Sequence, residues 1–212
     1  MQKIIVTGGC GYIGSHTTVA LQNAGYNVVI FDNLANSRID TLDRIAEITG
    51  TRPDFEHVDC TDTNAIQNAF AKNSDAIGVV HFAALKAVGE SVQKPIEYYK
   101  NNLISLLNIL EQMSAFDIKN IVFSSSATVY GTPDTLPVTE QTPLQPATSP
   151  YGQTKVIAET IIRDAVAANS NLRAVLLRYF NPIGAHPSGK IGGLPNSVPN
   201  KLMPYITQVA AG

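Results

Sequence analysis

The chain passes from a short apolar run, Lys3–Thr7, directly into Thr7-Gly8-Gly9-Cys10-Gly11-Tyr12-Ile13-Gly14. The last glycines are spaced Gly9-x-Gly11-x-x-Gly14, and helical spacing takes over from about Ile13 to Ala24, with Gly25 as its C-cap. A lone match of this kind says little, because glycines collect in turns. Between a strand and a helix near the N-terminus it is far more restrictive. A chain that leaves a strand, turns sharply and enters a helix is set up for a parallel partner strand across the helical crossover. The glycines permit the turn and let backbone N–H groups approach a pyrophosphate, while the helix N-terminus adds partial positive charge. The expectation is a dinucleotide-binding turn; the alternative is a purely structural one.

The same alternation continues along the chain, which is the pattern of a parallel sheet wrapped by helices. Strands are expected at Val28–Phe31, Phe55–Val58, Ile77–His81, Asn120–Ser124 and Arg173–Tyr179. Helices are expected at Ile39–Ile48, 63–72, 96–114 and from Pro150 to Ala168. Pro95 and Pro150 suit first helical turns, where a missing N–H would have had no partner. The fold class is therefore α/β, a doubly wound parallel sheet of Rossmann type. Beyond Asn181 the texture becomes rich in Pro and Gly, with helical spacing returning over Lys201–Ala211. This divides the chain into a dinucleotide-binding domain over 1–181 and the beginning of a smaller substrate domain over 182–212.

Composition excludes several function classes. A formal net charge of -2 gives no bulk argument for nucleic acid or an anionic membrane. No apolar run approaches the roughly 18 residues that a membrane span needs, and the N-terminus reaches its glycines too soon for a signal peptide. The two cysteines, Cys10 and Cys60, have neither zinc nor CxxC spacing, so a reducing cytoplasmic setting is expected. His16, His57, His81 and His186 are scattered, and no metal site is expected.

Two groups of residues carry chemistry. Asp32 ends the second strand, where a carboxylate can accept both ribose hydroxyls of adenosine and repel a 2′-phosphate, favouring NAD over NADP. Arg38 could soften that preference or be a solvated helix residue. Asp59 is placed to reach an adenine amino group, or is simply an exposed strand-end carboxylate. Tyr151 and Lys155 stand at i and i+4 on one helical face. A free phenol has a pKa near 10, so bringing it to 7 takes roughly 4 kcal/mol of differential stabilisation. A nearby ammonium, with the positive charge of a nicotinamide, is the field that supplies it. The spacing alone is weak. It gains weight from Phe123-Ser124-Ser125-Ser126, which ends the fifth strand on the side where open α/β sheets bind ligands. Ser126, about two residues past that strand, can hydrogen-bond a reacting oxygen; strand-end capping is the alternative.

Together these stretches resemble the extended branch of the short-chain dehydrogenase/reductase superfamily, and within it the UDP-galactose (UDP-glucose) 4-epimerases. The resemblance covers the whole chain. It rests on Val6–His16, Phe31-Asp32-Asn33-Leu34, His81–Ser91, Phe123–Gly131, Ser149-Pro150-Tyr151-Gly152 with Lys155, Leu177–Pro182 and Gly184–Gly189. It implies an NAD site formed by Gly8, Gly11, Tyr12, Ile13, Gly14, Asp32, Asn33, Leu34, Asn36, Ser37, Asp59 and Cys60. Phe82, Ala83, Ala84, Lys86, Asn101 and Phe180 complete that implied site, with Tyr151 and Lys155 on the nicotinamide side. It implies Tyr151, Lys155 and Ser126 as the catalytic set, and Lys86, Ser126, Tyr151, Asn181, Lys201 and Leu202 as contacts of a UDP-sugar.

The implied reaction oxidises the sugar at C4, lets the 4-keto sugar turn over and returns hydride to its other face. Related 4,6-dehydratases need an Asp-Glu pair just before Val-Tyr-Gly, where this chain has Ala127 and Thr128. Related decarboxylases, and a non-catalytic NAD-binding module, are the other readings. The family commonly carries a second Asn at the position of Lys201 and runs well beyond the end of this chain. The resemblance therefore implies a fragment that holds NAD and turns over poorly or not at all. It also implies a homodimer paired through the helices at 96–114 and 151–168. Leu103, Leu106, Leu107, Leu110, Ile157, Ile161 and Ile162 either serve that pairing or merely cover the sheet.

Overall fold

The computed structural model describes residues 1–193 together with 206, 209 and 210. In chain order its elements are β1 (Lys3–Thr7), α1 (Tyr12–Asn23), β2 (Asn27–Asp32), α2 (Thr41–Thr49), β3 (Asp54–His57), α3 (Thr63–Lys72) and β4 (Ala76–His81). There follow α4 (Val88–Gln93), α5 (Pro95–Ala115), β5 (Asn120–Ser126), a 3-10 turn (Ala127–Tyr130), α6 (Pro150–Ala168) and β6 (Arg173–Tyr179). The strands form one six-stranded sheet in the order β3-β2-β1-β4-β5-β6, and all its pairings are parallel. This is the expected doubly wound sheet. Its strand order reverses between β1 and β4, which opens a crevice at the carboxyl ends of the strands.

Each face of the sheet buries its own cluster. One joins Ile5, Phe31, Val79, Ile121 and Phe123 to Phe70 of α3, Leu106 and Ile109 of α5, and Ala158 and Ile162 of α6. The other joins Val6, Val28, Ile30 and Val80 to Val19 of α1, Leu42 and Ile45 of α2, and Ile191 from the segment after β6. The helix ends follow their sequence signals. Tyr26 N–H donates to the Leu21 carbonyl and Gly25 N–H to that of Gln22, with Gly25 at φ 87°, a paired C-terminal stop that needs a residue tolerant of positive φ. At the start of α6 the Ser149 side chain accepts from Gly152 N–H at 3.1 Å, ahead of Pro150.

Three differences from the sequence reading have identifiable causes. α4 was not expected; it is only six residues long, too short for a period to show. Pro95 restricts Lys94 to non-helical backbone, which separates α4 from α5. β5 runs on to Ser126, because Ser124, Ser125 and Ser126 pair with Leu177, Arg178 and Tyr179 of β6. Ser126 is thus the last residue of the strand rather than two beyond it. β3 begins at Asp54, since its pairing with Val29–Asp32 decides its register rather than its own apolar residues. Of the helix expected over 201–211, Lys201 and Leu202 lie outside the described residues, while Ile206, Val209 and Ala210 are helical.

Candidate active site

The glycine loop turns at the carboxyl end of β1. Gly8, at φ 67°, donates from its N–H to the Phe31 carbonyl (2.8 Å), and Gly11 N–H closes the turn on Gly8 (3.1 Å). A Cβ on Gly14 would stand 2.3 Å from the Gly8 carbonyl oxygen, and one on Gly8 2.9 Å from Ala83 N. Both positions therefore exclude a side chain, and the β1 and β4 loops meet there. Gly11 begins α1 with no side chain capping the helix and no acidic residue in its first turn. The loop thus presents a bare, partly positive helix end, which fits the pyrophosphate of a dinucleotide.

Asp32 is the anchor on the β2 side. Its buried carboxylate accepts from Cys10 N–H (3.0 Å), Leu34 N–H (2.9 Å) and the Ser37 hydroxyl (2.7 Å), tying the glycine loop to the segment after β2. Leu34 adopts φ 59° there, and Asn36 is exposed. Asn33 donates to Asp59 (2.9 Å), joining the β2 and β3 ends. Burial pushes the Asp59 carboxyl up, but hydrogen bonds from Thr61 and Asn33 outweigh it and hold the group below its ordinary range. Asp59 is therefore a built carboxylate, not merely a solvated strand end. The Cys60 thiol lies in the core, where burial pushes it up to about 12, and its carbonyl accepts from Asn108. Arg38 is exposed and pairs with Asp40, as its solvated reading anticipates.

The segment after β4 is clamped from two sides. Ala83 N–H donates to the Thr7 hydroxyl, which also meets His81 Nδ1 at 2.7 Å. Asn102 accepts from Leu85 N–H (2.8 Å) and donates to the Leu85 carbonyl (3.0 Å) and to the Thr154 hydroxyl (3.1 Å). Tyr98 accepts from Ala87 N–H and donates to Glu90. Asn101, expected at the site, donates to Asn102, while Lys86 is exposed. Sequence reasoning missed Thr7, Tyr98 and Asn102. The available signal was polar residues on the buried face of α5, among Leu106, Ile109 and Met113.

Tyr151, Lys155 and Ser126 come together where α6 crosses the end of β5. Lys155 Nζ donates to the Ser124 carbonyl (2.7 Å) and lies 4.8 Å from the Phe123 ring centroid and 5.8 Å from that of Tyr151. Burial pushes its ammonium down to about 8. Burial also raises the Tyr151 phenol, and the neighbouring Ser126 hydroxyl opposes the rise. The expected lowering draws on Lys155 together with the positive nicotinamide of bound NAD, and without NAD Lys155 is not among the groups that shift the phenol. The ammonium is engaged by a carbonyl and by ring faces, so Ser126 is the group that favours the phenolate. Ser126 also accepts from Thr128 N–H (3.2 Å), the capping role weighed for it. His81, beneath this place, is pushed down to about 3 by burial and then by Lys155, and is neutral. Phe180 and Asn181 follow β6 and are exposed. Tyr179 brings its ring within 6.4 Å of that of Phe82.

Among the described residues no group of His, Cys, Asp and Glu could hold a metal ion, and no helix is long and apolar enough to cross a membrane.

Residues 4–211 match the NAD dependent epimerase/dehydratase family. The chain is 55% identical over 209 residues to the UDP-glucose 4-epimerase of Bacillus subtilis, covering 99% of this chain and 61% of that protein. It is 52% identical to the mouse UDP-glucose 4-epimerase, over 100% of this chain and 62% of that one. Among solved structures, the UDP-glucose 4-epimerase from Bifidobacterium longum in complex with NAD+ and UDP superposes with a TM-score of 0.96 at 49% identity, over 100% of this chain and 63% of that chain. The chain thus spans about three fifths of the length of these relatives.

Proposed function

Since the chain belongs to the NAD dependent epimerase/dehydratase family, we propose that it is the NAD-binding and catalytic part of an epimerase interconverting UDP-galactose and UDP-glucose at C4. The observation that carries this reading is Tyr151 beside Ser126 and Lys155, at the strand ends that also bear the glycine loop. The loop and the uncapped start of α1 receive the pyrophosphate, and Asp32 takes the adenosine ribose and disfavours a 2′-phosphate. When bound, NAD supplies a hydride acceptor and a positive nicotinamide. Tyr151 takes the proton of the sugar 4-hydroxyl and later returns it. Ser126 would hold the reacting oxygen, and Lys155 would bind on the nicotinamide-ribose side of the cofactor.

Ala127 and Thr128 stand where a dehydratase needs an acid and a base, which favours epimerisation over loss of water. Two buried free cysteines agree with a cytoplasmic setting. We assign the segment from 182 to the start of a substrate domain, with Asn181, Lys86, Lys201 and Leu202 toward the UDP-sugar. A homodimer is supported by the outer face of α5. Leu106 and Ile162 are buried against the sheet, but Ile96, Ile104 and Leu107 are exposed.

The test is incubation with UDP-galactose, without added NAD, followed through the sugar H1 signals by NMR. UDP-glucose formed, however slowly, and abolished by Tyr151→Phe supports the reading. A product lighter by one water would replace epimerase by dehydratase. No conversion by protein that holds NAD would confine the reading to cofactor binding.

A further inference from the structure

Beneath the catalytic groups lies a charged cluster that the proposed chemistry does not use. Glu159, on the same helix as Tyr151 and Lys155, is fully buried. One of its oxygens accepts from the Ser125 hydroxyl (2.6 Å) and from Arg178 Nε (2.9 Å). The other accepts from Arg178 Nη2 (2.8 Å) and Arg163 Nη2 (2.6 Å). Arg178 then reaches beyond the strand, its Nη1 donating to the hydroxyl of the buried Tyr130 (2.9 Å). Burial pushes the Glu159 carboxyl up, but the bonds from Arg178 and Ser125 hold it below its ordinary range, so it is ionised.

A buried ion pair of this kind is a poor source of stability, because desolvating two charges offsets their attraction. The elements that carry it also contribute Ala158 and Ile162 (α6), Phe123 (β5) and Leu176 (β6) to one apolar cluster. What the pair does hold is geometry. Ser125 precedes Ser126, and Tyr130 ends the turn that Ser126 begins. The pair therefore grips the chain on both sides of Ser126. Its carboxylate belongs to α6, two helical turns from Tyr151. Lys155 adds a third tie, to the Ser124 carbonyl.

We propose that Glu159 and Arg178 are positioning residues that hold Ser126 against the Tyr151 hydroxyl, an inference that rests on reading Ser126 and Tyr151 as the catalytic groups. Glu159 is fully buried and acts through the groups it binds. They fix β5, the 3-10 turn and α6 relative to one another, so that Ser126 keeps its place beside the phenol when α6 or β6 shifts.

The test is a double-mutant cycle read on Tyr151 itself. Protein labelled with ¹³C at tyrosine Cζ gives a resonance for Tyr151, identified by its absence in Tyr151→Phe. Ser126→Ala is expected to move that resonance at neutral pH. Glu159→Gln, which keeps the side-chain volume but not the charge, is expected to move it in the same direction and to have no further effect in the Ser126→Ala background. Arg178→Lys, which keeps charge but loses the two-pronged grip, should repeat the pattern if Glu159→Gln does not fold. A Tyr151 resonance unmoved by either substitution overturns the proposal, as does an equal shift with and without Ser126. The catalytic reading fails separately, if Tyr151→Phe still converts UDP-galactose.

Discussion

Replacing Lys155 by Met is expected to stabilise the protein at neutral pH while removing its chemistry. Burial pushes this ammonium from an ordinary 10.5 down to about 8. At 1.36 kcal/mol per pH unit, the folded state at pH 7 carries about 3 kcal/mol of cost for keeping the group charged. The Ser124 carbonyl and the ring faces of Phe123 and Tyr151 return part of it. Losing them in the variant costs about 1 kcal/mol, so a net gain of about 2 kcal/mol remains.

The sign of the pH dependence is fixed by linkage. Between about 8 and 10.5 the unfolded chain holds the proton and the folded chain does not, so the native protein gains stability as pH rises through that window. The cost is fully present below about 8 and gone above 10.5. Urea unfolding of both proteins at pH 7 and pH 10 reads this directly. The Met variant should lead at pH 7, and most of its lead should vanish at pH 10. A stability difference equal at both pH values would refute the reasoning.

Three further substitutions probe the rest of the site. Tyr151→Phe should lower any conversion of UDP-galactose by about 10²-fold or more while leaving NAD affinity in place, as kinetics and calorimetry would report. Asp32→Ser removes the shared acceptor of Cys10 N–H, Leu34 N–H and Ser37. It should weaken NAD and narrow its advantage over NADP by about tenfold, roughly 1.4 kcal/mol in a competition titration. Gly14→Ala brings a methyl to 2.3 Å from the Gly8 carbonyl. It should cost about 1–3 kcal/mol in thermal unfolding and abolish NAD binding; undiminished binding would remove the glycine loop from the site.

The parts of this architecture legible in the sequence were those set by local rules. Gly9-x-Gly11-x-x-Gly14 between two opposite periodicities, Pro150 after Ser149, and apolar runs such as Val28–Phe31 specify elements from their own residues. The site residues were legible mainly as a family resemblance, and the structure adds what joins them. Asn102, Tyr98 and Thr7 act across separations of 17, 11 and 76 residues to hold the segment after β4. No window of adjacent residues signals that pairing. The same holds for Glu159, which reads as one helix carboxylate until β6 brings Arg178 against it. Lys155 is a further case. Spacing of i and i+4 puts two side chains on one face of a helix, but it does not say that the ammonium will turn to a strand carbonyl.

Native mass spectrometry of the purified chain, incubated with equal amounts of NAD and NADP, tests most directly whether these residues build a cofactor site of the proposed kind. The account predicts a dominant species carrying one NAD per chain, with NADP a minor adduct. A chain that stays bare, or one that takes NADP in preference, would contradict it.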